Sequence, residues 1–187
     1  YESLQAKGLI ENCTLLPAIK CQEEMLSMVH LPDYLAIAKK NILEGNKTLS
    51  TGDTQVCLDS WNVALGATGG LLHAIDRIFS GELKRAFSLS RPPGHHATPS
   101  RGMGFCLFNH VAIAARYAQK VHNVEKVLIV DWDVHHGNGT QDSFYDDESV
   151  FFFSTHQYPW YPGTGSTEET GTGKGLGSNL NIPLPAG

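Results

Sequence analysis

The run EKVLIVDWD, residues 125–133, limits the possible folds more than any other stretch. A near-continuous apolar run of this length marks a strand buried on both faces, the habit of parallel sheets. SVFFFSTH, residues 149–156, has the same character, and GTQDSFYDD between them reads as a short helical turn. Upstream, RAFSLS (85–90) is predicted as a third short strand, cut off by Pro92 and Pro93. FNHVAIAARYAQKVH follows as an amphipathic helix, with Phe108, Val111, Ala112, Ala115 and Ala118 on one stripe. Strand, helix, strand, helix, strand implies right-handed crossovers. The predicted class is α/β: a parallel β-sheet flanked by helices.

The first part of the chain reads as helical. CQEEMLSMVH and PDYLAIAKKNILEG carry apolar residues at three- and four-residue steps. Asp59 or Ser60 is placed to cap a longer helix through WNVALGATGGLLHAIDRIFSG, with Gly81 as its stop. The tail from Tyr161 is Gly/Pro-rich loop with one short strand near SNLNIP. The length, 187 residues, suits one domain with its own core. A formal net charge of -5 argues against a nucleic-acid partner, which needs a basic footprint. No apolar run reaches membrane-span length, so no membrane partner is expected. The start lacks signal-peptide regions, and Cys13, Cys21, Cys57 and Cys106 form no C-x-x-C pair. They read as reduced thiols of an intracellular protein, in cytoplasm or nucleus.

Sites in open α/β sheets form outside the carboxyl ends of the strands. Three predicted strand ends carry unusual residues: His95 and His96 after RAFSLS, DWDVHHGNG after VLIV, and STHQYPWYPGTG after SVFFF. In extended backbone Asp131, Asp133 and His135 share a face, alternating with Trp132 and Val134. Burying such groups unpaired costs of order several kcal/mol, so a positive partner must compensate. A divalent metal does this well, because Asp oxygen and His nitrogen are good zinc ligands. A catalytic zinc takes three protein ligands and keeps one position open. This stretch supplies two, Asp133 and His135. The plain alternative is a set of loop or helix-capping aspartates and a structural histidine.

RPPGHHATPSRGMGFC, residues 91–106, is too rich in proline and glycine for helix or strand, yet it holds tandem imidazoles. Imidazole serves as both base and acid near neutral pH, which hydrolysis of an amide requires. Each ring then needs a partner on its far nitrogen to fix its tautomer. Asp131 and Asn138 are the candidates. Surface-loop histidines are the simpler reading of this segment alone.

Taken together, RPPGHHA, GFCLFNHVAIAA, VLIVDWDVHHGNGTQ, FFFSTHQ and YPGTG resemble the arginase/deacetylase superfamily. The likeness is to class II histone deacetylases and their bacterial relatives, including acetylpolyamine amidohydrolases. It implies a three-layer α/β/α fold and a zinc-dependent amidohydrolase acting on acetylated protein or peptide lysine, or on an acylated polyamine. By the resemblance, Asp133 and His135 ligate Zn2+. His95 and His96 are the general base and acid, paired with Asp131 and Asn138. Gly104 offers its carbonyl to the substrate amide, while Phe105 and Tyr161 line a tunnel for the acyl-lysine stem. Asp53 stands at the substrate rim, where a plain helix-flanking aspartate is the alternative. A structural K+ takes oxygens from Asp131, Asp133, His135, Ser154 and Thr155. A second lies near Phe144, Asp147, Val150 and Ser178.

The resemblance also implies a third zinc-ligating aspartate and an oxyanion-binding tyrosine further along such chains. Neither has a counterpart before Gly187, so a single, incomplete domain is expected. A truncated, non-catalytic deacetylase-like module is therefore a second reading. GTGKGLG does not meet the phosphate-loop spacing, since Gly175 follows Lys174 where a hydroxyl should stand. Cys106 as a nucleophile is the remote third possibility.

Overall fold

The structure, a computed structural model, describes residues 1–187. Its elements run α1 (Glu2–Ala6), a 3-10 turn (Glu23–Met28), α2 (Pro32–Leu43), α3 (Ser60–Phe79) and α4 (His110–His122). Then come β1 (Val127–Asp131), α5 (Asn138–Phe144), β2 (Val150–Gln157) and β3 (Asn179–Leu184). The three strands form a parallel sheet in the order β1-β2-β3, with Val127 opposite Val150 and Phe152 opposite Asn179.

α4 is the middle layer. Ala112 and Ala115 face the sheet and pack with Ile129, Val150, Phe152 and Phe144. Ile113 and Ala114 face the other way, into a cluster with Leu65 and Leu72 of α3 and Tyr34, Ala38 and Ile42 of α2. Alanines on both sides let the helix approach each layer closely. Val111, placed on the buried stripe from the sequence, is exposed instead. Asn109 caps α4 by accepting from the Ala112 amide, and left-handed Asn123 ends it. Asp59 takes the N-cap position of α3 but its side chain makes no bond to the helix, while Gly81, at φ +82, follows its end as expected. No helix is long and apolar enough to cross a membrane.

Two expectations change. RAFSLS is not a strand: residues 85–90 have no ladder partner and lie exposed. Its six residues suit a strand, but a strand needs a neighbour to satisfy its backbone, and β1 pairs with β2 alone. β1 is also not buried on both faces. Ile129 is covered, while Leu128 and Val130 are 64% and 45% exposed. β2 alternates in the same sense, with Val150, Phe152, Ser154 and His156 inward. The helices of these residues thus lie on one face of the sheet, and the apolar side chains of the other face meet solvent.

Candidate active site

The loop before α4 and the loop after β1 share the wall of a cavity of about 400 Å³. His95, His96, Asp133 and His135 line it, with Gly104, Phe105, Asp53 and Tyr161 at one side and Arg91 and Pro93 at another.

Asp133 and His135 reach this cavity by a turn, not by extension. β1 stops at Asp131, whose Oδ1 accepts the Asp133 amide at 3.1 Å. Asp133 Oδ1 then accepts the His135 amide at 2.8 Å. Two successive Asx turns are what aspartates at this spacing favour once pairing ends. The expected extended alternation past Asp131 is therefore replaced, yet the polar groups still converge. His135 Nδ1 lies 3.0 Å from Asp133 Oδ1, and His95 Nε2 lies 3.9 Å from the same oxygen.

The imidazole pair is anchored from behind. His95 Nδ1 donates to Asp131 Oδ2 at 2.8 Å, and His96 Nδ1 meets Asn138 Oδ1 at 2.8 Å. The two ring centroids are 4.0 Å apart. α5 is pressed against this loop: the Thr140 amide donates to His95 O at 3.1 Å. A Cβ on Gly139 would come within 2.6 Å of the His96 carbonyl carbon, so only glycine fits there.

The partners divide the two rings electrostatically. For His95, burial pulls the pKa down, but the Asp131 hydrogen bond and the Asp131 and Asp133 charges outweigh it and the net shift is upward. For His96, burial and the neighbouring His95 charge push the pKa down to about 4, and the neutral Asn138 amide offsets little. Burial would raise Asp133, but the His135 amide and the His95 charge hold it below the usual carboxylate range.

The rim residues clasp one another. Asp53 Oδ1 accepts the Gly104 amide at 2.8 Å and its Oδ2 accepts the Tyr161 hydroxyl at 3.1 Å. Tyr161 stands edge-on to His96, centroids 5.0 Å apart. Burial, then the Asp53 charge, lift the Tyr161 pKa to about 12. Gly104 and Phe105 both take positive φ, +56 and +66, making a tight turn that leaves Phe105 69% exposed at the cavity mouth. The Gly104 carbonyl receives only the Cys106 thiol, at 3.4 Å. Cys106 itself is buried, and burial pushes its pKa up to about 12, the opposite of an activated nucleophile.

As metal donors, Asp133 and His135 suit a divalent cation in kind and in their shared aim. No group of three or more His, Cys, Asp or Glu that could hold one assembles. Of the residues read for potassium, Asp131 and Ser154 are register partners across β1 and β2, and Thr155 follows Ser154. At the second set, Asp147 gives its carboxylate to Arg116 at 2.5 Å and its amide to Phe144 O at 3.0 Å. Val150 is fully buried, and Ser178 O accepts the Phe152 amide at 2.9 Å.

Sequence reasoning passed over a network behind the cavity, centred on the buried His136 and Gln141. His136 bonds Thr164 Oγ1 (2.8 Å) and Gln141 Oε1 (3.1 Å). Gln141 donates to Glu169, whose carboxylate also accepts the Gly165 and Ser166 amides. It ties the loop bearing Tyr161 to α5. The second histidine of DVHHG was a visible signal; Glu169 gave none. Pro93 was seen only as strand punctuation and Arg91 was given no role, and their place on the cavity wall depends on a loop conformation the sequence does not encode locally.

The family profile described as Histone deacetylase domain matches residues 1–187. The whole chain aligns over 188 residues, at 42% identity, with a probable deacetylase of Archaeoglobus fulgidus, and covers 52% of it. It is 38% identical, over 97% of its length, to the polyamine deacetylase HDAC10 of Rattus norvegicus, covering 33% of that protein. The crystal structure of the HDA15 HD domain matches all of this chain with a TM-score of 0.93 and 38% identity, over 54% of that structure's chain. The chain thus spans about half the length of these relatives, or less.

Proposed function

The chain belongs to the histone deacetylase family, and from that premise we propose that it forms the acid–base wall of an active site that hydrolyses the acyl amide of acetyl-lysine in proteins. One observation carries this reading. Two adjacent imidazoles with unlike partners, a carboxylate and an amide, face Asp133 and His135 across one cavity.

Hydrolysis breaks the acyl C–N bond and joins the acyl carbon to a water oxygen. His96, held by a neutral amide, has no protein partner at Nε2 and takes the water proton there, then returns it to the departing amine. His95 stays hydrogen-bonded to Asp131, which supports its charge beside the reacting atoms. Asp133 and His135 would hold Zn2+, which polarises the acyl carbonyl and lowers the pKa of water. A further donor, which these residues do not supply, completes that shell. Phe105 and Tyr161 flank the acyl-lysine stem, Gly104 O accepts the substrate amide N–H, and Asp53 holds the rim.

Potassium belongs to the same reading. Oxygens of Asp131, Ser154 and Thr155 would hold one ion behind the site. A second would rest on main-chain oxygens near Phe144, Asp147, Val150 and Ser178, since the Asp147 carboxylate is paired with Arg116.

The test is hydrolysis by the full-length protein of an acetyl-lysine peptide and an N-acetylated polyamine, each with and without chelator. Chelator-sensitive release of acetate from the peptide is the expected result. Turnover of the polyamine alone assigns the substrate class to small amines. No turnover of either, with zinc bound, supports a non-catalytic module and overturns the proposal.

A further inference from the structure

Asn138 can face His96 in two ways. With Oδ1 toward the ring, His96 carries its proton on Nδ1 and leaves Nε2 free to accept one. With Nδ2 toward the ring, Nδ1 must be bare, the proton sits on Nε2, and the imidazole becomes a donor toward the cavity. The choice decides whether His96 is a base at all, and Asn138 and His96 alone do not make it.

The third member is Met103. Its Sδ lies 3.5 Å from Asn138 Nδ2, the only acceptor that Nδ2 finds, and Asn138 is 5% exposed. A thioether sulfur accepts weakly and donates nothing. Turned the other way, Asn138 would set a carbonyl oxygen against sulfur lone pairs and leave a buried oxygen unbonded. We infer that Met103 is a positioning residue: its sulfur fixes the Asn138 amide with Oδ1 toward His96, and so holds His96 in the tautomer whose Nε2 accepts a proton.

Met103 is itself held in place. The Cys106 amide donates to Met103 O at 2.9 Å across the left-handed Gly104–Phe105 turn. The next amide, Gly104, is bound by Asp53 at 2.8 Å. Met103 does not line the cavity, so it acts only through Asn138. A hydrocarbon at 103 leaves one buried polar atom of Asn138 unpaired in either orientation. The two orientations then lie close in energy and both tautomers are populated.

The inference deepens the hydrolytic reading and rests on it for its catalytic meaning only. Its test uses the full-length, metal-loaded protein with Met103→Leu and Met103→Gln. Two-bond ¹H–¹⁵N correlation of the His96 ring reads the tautomer directly, and steady-state hydrolysis of an acetyl-lysine peptide reads the consequence. Met103→Leu should give a mixture of tautomers and a kcat lowered about two- to tenfold, with KM unchanged. Met103→Gln, whose carbonyl can take the sulfur's place, should restore the Nδ1–H tautomer and kcat. A single Nδ1–H tautomer in Met103→Leu overturns the inference. If that variant does not fold, the Asn138 side-chain amide in the unsubstituted protein decides. One proton protected from exchange supports the sulfur contact, and two freely exchanging protons overturn it. If no substrate is turned over, the hydrolytic reading fails while the tautomer result still stands.

Discussion

Gly137→Ala should disconnect His95 from Asp131 without substituting either residue. Gly137 has φ -78 and ψ 62, an inverse γ-turn conformation open to alanine, so the effect is one of space alone. The new methyl would overlap Asp131 Oδ2 outright. It has nowhere else to go, with His95 Nδ1 at 3.3 Å and the Phe152 ring tip at 3.2 Å. The carboxylate must therefore rotate away and give up its 2.8 Å bond to His95. A hydrogen bond to a charged group is worth about 1.5–3 kcal/mol. If that support is realised in the transition state, kcat falls about ten- to hundredfold. The assay is acetyl-lysine peptide hydrolysis by the full-length protein, with the His95 Nδ1 proton followed by NMR and the thermal midpoint as a check on folding. Gly66→Ala is the control, because its Cβ meets nothing within 4 Å and lies in α3, where alanine favours the helix by up to about 1 kcal/mol. Unchanged kcat in Gly137→Ala, together with an unmoved His95 proton, would refute the role given to this pair.

Gly69→Ala, in the same helix, should instead destabilise by about 2 kcal/mol or more in urea unfolding, because its Cβ would overlap the Ile19 carbonyl and the Cys21 amide; a midpoint equal to that of Gly66→Ala would contradict the packing described. Phe105→Gly should leave the thermal midpoint unchanged or raised, since φ +66 strains an aromatic residue by about 1–2 kcal/mol, while KM for the acetyl-lysine peptide rises with the loss of the wall. A lowered midpoint with unchanged KM would argue against both points. His30 and His110 are buried, and burial drops each pKa to about 4. The unfolded chain, with its ordinary histidine pKa near 6.5, then binds more protons below that pH, so their contribution is complete above it and is lost as pH falls toward 4. Each should cost about 2 kcal/mol by pH 5, measured as the difference in pH dependence of urea midpoints between the unsubstituted protein and His30→Gln; parallel curves would be the wrong result.

The periodic elements were legible. α2, α3 and α4 follow apolar steps, with Gly81 just past the end of α3, β2 falls within its apolar run, and β3 coincides with the short strand expected near SNLNIP. What the chain could not encode locally was partnership. RAFSLS has strand composition, yet a strand is a property of two segments, and residues 85–90 find no second one. Val127–Val130 announced burial, but which face is covered depends on where α4 and α5 cross, and they cross on one side. At the site, the residue types in DWDVHHGN and GHHA offered Asp131 and Asn138 as candidate partners for the two rings, and only the family resemblance matched His95 to Asp131 and His96 to Asn138, the contacts made in the structure. They did not carry the route: aspartate side chains capture the amides two residues on and turn the backbone where extension was expected. Met103, Gln141 and Glu169 were not picked out, because the Met103–Asn138 and Gln141–Glu169 contacts join residues 35 and 28 positions apart and are made only by folding.

The metal content of Asp133→Ala and His96→Ala, measured beside the unsubstituted full-length protein, tests the account most directly. Asp133→Ala should lose the zinc, and His96→Ala should keep it while losing turnover of acetyl-lysine peptide. Zinc retained at full stoichiometry in Asp133→Ala would contradict the claim that the turn after β1 and the imidazole pair form one hydrolytic site.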